Sequence, residues 1–134
     1  MGQPIRCWRL LTTTLVSLLL LGCGQRPQIT VTTSLLDDQI VFSFSHSQIN
    51  GIIGFRVKDE ADNLLWSVKN PDDQGITYGR LPGNGGYAKP TQLFPLDNTS
   101  PVSIRGTTVT VFIDYQYDNL APSTGTYRKT IAIP

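Results

Sequence analysis

Thr108-Val109-Thr110-Val111-Phe112-Ile113-Asp114-Tyr115-Gln116-Tyr117 is the stretch whose reading decides the fold. Successive side chains of a strand alternate between two faces, so Val109, Val111, Ile113, Tyr115 and Tyr117 share one face. Thr110, Asp114 and Gln116 share the other, and Phe112 alone breaks its polarity. The period is two rather than 3.6, which predicts a half-buried β-strand.

Working outward, the same period recurs. Ile40, Phe42 and Phe44 alternate with Val41, Ser43 and Ser45, and Ile53, Phe55 and Val57 alternate with Gly54, Arg56 and Lys58. Asn50-Gly51 between them predicts a tight hairpin, because both central residues of such a turn need positive φ. Leu64 to Val68 reads as a short strand carrying Trp66, Ile76 to Tyr78 as a brief one, and Tyr127 to Ile133 as the last, after a turn over Asp118 to Gly125. With the strand opening at Ile29, about seven short strands separated by regular turns predict an all-β antiparallel sandwich over residues 29–134.

Residues 1–22 have a different composition. Arg6 and Arg9 precede Leu10 to Gly22, a 13-residue run rich in leucine that contains no acid. A membrane-spanning helix needs roughly 20 apolar residues, so the run is too short to span. A positive start, a short apolar centre and a small residue at its end read as a cleaved secretory signal. The remaining residues hold nine Lys+Arg and ten Asp+Glu, a balance of −1. That excludes the basic field on which nucleic-acid binding depends. Only one cysteine, Cys23, follows the signal, so no internal disulfide can form.

Leu20-Leu21-Gly22-Cys23 resembles the lipobox of bacterial lipoproteins. The resemblance implies a diacylglycerol on the Cys23 thiol, cleavage between Gly22 and Cys23, and acylation of the new amino terminus. Two or three chains anchor durably where one does so marginally. Residues 23–28 then form a lipidated terminus and short linker, and Gly24 after the cysteine implies the outer membrane, facing the periplasm, in a Gram-negative host. Ile52-Ile53-Gly54-Phe55-Arg56-Val57 and Gly106-Thr107-Thr108-Val109-Thr110-Val111 are similar to the third and sixth strands of fibronectin type III domains. That likeness implies an immunoglobulin-like architecture, which carries no function with it.

No catalytic set assembles from the sequence. His46 has no second histidine beside it, and Ser45 and Ser47 flank it on the opposite face of a strand, a poor geometry for nucleophilic attack. Gly83 to Ala88 fits the spacing of a dinucleotide loop, but Pro90 bars the helix that such a loop must open. The reading is therefore a non-catalytic module with no cofactor and no metal. Its partners are the membrane, through the lipid on Cys23, and another envelope protein or polymer. The alternative is a small hydrolase or calcium-dependent binder using His46 or the acidic turns Asp59-Glu60-Asp62 and Asp72-Asp73. Gly79 to Pro95, with three prolines and four glycines, is long for a connection, and loops of that kind carry binding residues. Arg80, Tyr87 and Phe94 are its interface-favoured side chains and the candidate partner-binding residues.

Overall fold

The computed structural model describes residues 26–82, 88–118 and 122–134. Eight strands run in order: β1 (Gln28–Leu36), β2 (Gln39–Ser47), β3 (Gly51–Lys58), β4 (Leu64–Lys69), β5 (Gly75–Thr77), β6 (Thr91–Phe94), β7 (Thr108–Asp118) and β8 (Pro122–Ala132). They form a three-stranded sheet β1-β2-β5 and a five-stranded sheet β6-β4-β3-β7-β8, antiparallel throughout and packed as a sandwich.

The deciding stretch is the strand β7, with Val109, Val111 and Ile113 at most 1% exposed. They meet Ile40, Phe42 and Phe44 of β2, and Phe55, Val57, Trp66 and Val68 of β3 and β4, in one core. Phe55 lies at its centre, with ring centroids 5.1 Å from Phe42, 5.4 Å from Phe44 and 6.1 Å from Trp66. Trp66 in turn meets Tyr78 edge-on at 5.2 Å. The buried Trp66 indole N–H donates to Gln92 Oε1 at 2.7 Å, and the Gln92 amide donates to the carbonyls of Pro95 and Thr99. One polar side chain thus satisfies the indole and fastens β6 to the turn that follows it.

Four local expectations give way to tertiary pairing. Asn50-Gly51 makes no hairpin, because β2 and β3 belong to different sheets and the segment crosses between them. Gln48 takes the positive φ there, at 65°. The true two-residue hairpin is Asp37-Asp38, with φ of 49° and 67°, which turns β1 into β2 in register Leu36↔Gln39. This is the geometry that matches the right-handed twist of paired strands. In β3 a bulge at Ile53 shifts the phase, so Ile52 is buried and Ile53 only half-buried. The eighth strand, β6, lies inside the segment read as a loop, and β8 begins at Pro122, five residues before Tyr127. Pro122 opens β8 on an edge of the sheet, where a missing N–H is tolerated.

The sandwich has two distinct ends. At the entry end lie the start of β1, the crossover from β2 to β3, and the ends of β4 and β7. At the far end lie the Asp37-Asp38 hairpin, the turn from Lys58 to Leu64, and the connection from Phe94 to Thr108. Ile113→Ala is expected to lower unfolding free energy by about 2–5 kcal/mol in urea denaturation, as a large-to-small core change. Thr110→Ala, on the outer face, should cost little; equal losses at the two positions would show that the facing is misassigned.

Candidate functional site

Arg80 and Phe94, the candidates of the 79–95 segment that fall among the described residues, lie apart. Arg80 is exposed just beyond β5, its backbone N–H donating to Thr77 and its Nη1 to Gln39 Oε1 at 3.5 Å. It borders a shallow groove of about 300 Å³ over the three-stranded sheet, with Ser43, Asp72, Gly75 and Pro82. Phe94 ends β6 on the edge of the other sheet, opposite Ser67, and is 39% exposed. Tyr87, Gly22 and Cys23 lie outside the described residues.

The acidic turns separate as well. Asp59, Glu60 and Asp62 sit at the far end and Asp72 and Asp73 at the entry end, because β4 runs the length of the sandwich between them. No cluster of three or more metal-ligating side chains occurs among the described residues. Each turn has local work for its carboxylates. Asp59 Oδ1 accepts from the backbone N–H groups of Asn63 and Ala61, and its Oδ2 accepts from the Asn63 side-chain amide. The Asn63 backbone N–H, then its side-chain amide, hold the Asp59 carboxyl below the usual carboxylate range. Asp73 accepts from the Ile52 N–H at 3.0 Å, pinning the crossover, and His46 Nε2 lies 3.2 Å from the Asp73 carbonyl. His46 is therefore placed beside a backbone oxygen rather than a nucleophile.

Two surfaces were not picked out from the sequence. The first is the far end. Leu36, Leu96 and Val102 are 63%, 71% and 62% exposed, and Leu35 and Phe94 lie close to the same end. Tyr78, whose hydroxyl burial pushes well above the ordinary tyrosine range, donates to the Val102 carbonyl at 2.9 Å and so holds that segment in place. Consecutive Leu35-Leu36 before an Asp-Asp pair was the available signal, since two adjacent strand residues cannot both face a core. The second surface is the outer face of the five-stranded sheet. There Arg56, Phe112 and Arg128 lie directly across from one another on β3, β7 and β8. The Arg56 guanidinium lies 4.7 Å from the Phe112 ring centroid, Lys58 Nζ 5.4 Å and the Arg128 guanidinium 5.8 Å. Phe112 breaks the polar face of β7 because it is the platform for these cations.

No family model, no curated protein and no solved structure matches this chain. Its own geometry is what bears on its function.

Millimolar calcium is expected to leave the melting temperature unchanged, because the two acidic turns cannot share an ion; a calcium-dependent rise would refute that. A folded carboxyl held below its unfolded value stabilises fully above the unfolded pKa, and that contribution vanishes as pH falls through the folded one. Asn63→Ala should therefore raise the Asp59 titration midpoint in carbon-13 NMR toward the ordinary carboxylate range and shrink its part of the acid sensitivity.

Proposed function

We propose that the chain is an envelope lipoprotein whose β-sandwich is a non-catalytic binding module. Residues 1–22 are its signal, and the lipid on Cys23 its membrane anchor. In a Gram-negative host it lies on the outer membrane facing the periplasm. The division of β1-β2-β5 from β3-β7-β8 supports an immunoglobulin-like reading, in keeping with the fibronectin type III likeness of Ile52 to Val57 and Gly106 to Val111.

The observation that carries the binding role is the opposition of the two ends. β1 begins at Gln28, so five residue steps from Cys23, at most ~17 Å, hold the entry end at the bilayer. Leu36, Leu96 and Val102 are exposed at the opposite end, pointing away from the lipid. Large apolar side chains left in water on a folded domain favour a protein contact. Asp37, Glu60 and Asp97 lie around them, exposed and in no ion pair among the described residues, so a partner with basic and apolar side chains fits best.

Cys23→Ser should abolish palmitate labelling and release the protein from the membrane fraction. Unchanged labelling in that variant would remove the anchor. Replacing Leu36, Leu96 and Val102 together with serine should reduce crosslinking to the envelope partner at least tenfold while the melting temperature stays within a few degrees. Undiminished crosslinking by a folded triple variant would remove the far end as the docking surface.

A further inference from the structure

A groove of about 330 Å³ crosses the outer face of the five-stranded sheet near its entry end. It runs from Leu93 on β6, past Lys69 on β4 and Gly54 and Arg56 on β3, to Asp114 on β7 and Thr126 on β8. It therefore spans all five strands, a length of roughly 19 Å at the usual strand spacing. That is long enough for several linked rings and too shallow to enclose a compact molecule.

The polar groups in it are held before any ligand arrives. Asp114 Oδ1 accepts from Arg56 Nη2 at 3.2 Å and from the Thr126 hydroxyl at 2.7 Å. The Arg56 guanidinium is held a second time by the Phe112 ring. The other carboxylate oxygen, Asp114 Oδ2, has no hydrogen-bond partner among the described residues. It projects over Gly54, 3.1 Å from where a Cβ on that residue would stand. Glycine at this position lets the carboxylate lie close over the β3 backbone, with a guanidinium donor alongside.

This pairing selects a chemistry. A simple anion would have to displace the Asp114 carboxylate to take Arg56, whose Nη2 already donates to it at 3.2 Å. A peptide strand could not add to the floor, because β4, β3 and β7 are each paired on both sides. A hydroxyl both donates and accepts, so two adjacent hydroxyls of a sugar ring match a carboxylate oxygen beside a guanidinium. Leu93, half-exposed on β6, offers an apolar wall to the ring's carbon face. Asp114 is the only carboxylate lining the groove among the described residues, whereas glycoside hydrolysis ordinarily uses two, so the arrangement suits binding rather than cleavage. We propose that this groove binds a neutral oligosaccharide, Asp114 Oδ2 and the Arg56 guanidinium together gripping the vicinal hydroxyls of one ring. The site stands whether or not Cys23 carries a lipid.

The test is saturation-transfer NMR on the full chain in detergent, with chitotetraose, cellotetraose and maltotetraose as probes. At least one should receive saturation from the protein. Asp114→Asn should weaken that binding at least tenfold, and Asp97→Asn at the far end should leave it unchanged. Because Asp114 also holds Arg56, Gly54→Val serves as a second variant: it keeps the acid but pushes its carboxylate off the β3 backbone, and it should abolish transfer while the fold survives. Absence of transfer to all three sugars would overturn the proposal. So would transfer that persists in folded Gly54→Val, or that falls equally in Asp97→Asn.

Discussion

The contact on which this sandwich depends is the packing of Phe55 against Phe42 and Phe44 across the two sheets. No disulfide can join them, since both cysteines, Cys7 and Cys23, precede the first strand. Full burial of a phenylalanine is worth about 1.5–3 kcal/mol, and well-placed ring pairs add about 0.5–1.5 kcal/mol beyond that. The ion pair Arg105–Asp38 at the far end, with side chains 45% and 83% exposed, contributes at most about 1 kcal/mol. Apolar burial therefore sets the register of the layers, and the surface charges are free to serve other ends.

That division of labour explains the outer face of the five-stranded sheet. Its inward side chains satisfy the core, so Gly54, Arg56, Lys58, Phe112, Asp114 and Arg128 are not needed to close it. They nevertheless form an ordered network, with Arg56 held by both an acid and an aromatic ring. The buried Arg56 Nε has no acceptor among the described residues, a cost that the contact with Phe112 offsets in part. Side chains held this firmly on a solvent face are poised for recognition, because little freedom remains to be lost when a ligand arrives.

The two surfaces are also separate in space. The apolar far end lies opposite the start of β1, and the groove over Gly54 lies on the flank toward the entry end. A polymer lying along the flank and a protein seated on the far end could be held at once without competing.

Alternation by itself determined that the chain is all-β and that Val109, Val111, Ile113, Phe42 and Phe55 are core, because a period of two leaves only two faces for the apolar side chains. What only the tertiary structure decided was which strand pairs with which. Asn50-Gly51 and Asp37-Asp38 are both plausible turns locally, yet one crosses between sheets and the other makes the hairpin, because only the latter joins strands of the same layer. Arg80 follows β5 of one sheet and Phe94 ends β6 of the other, so their types could not reveal where each would lie. Conversely, Arg56 is distant in sequence from Phe112 and Asp114, and the three became a site only when the β3–β7 register set them side by side. A strand's period encodes its facing; its neighbours depend on contacts that no local pattern carries.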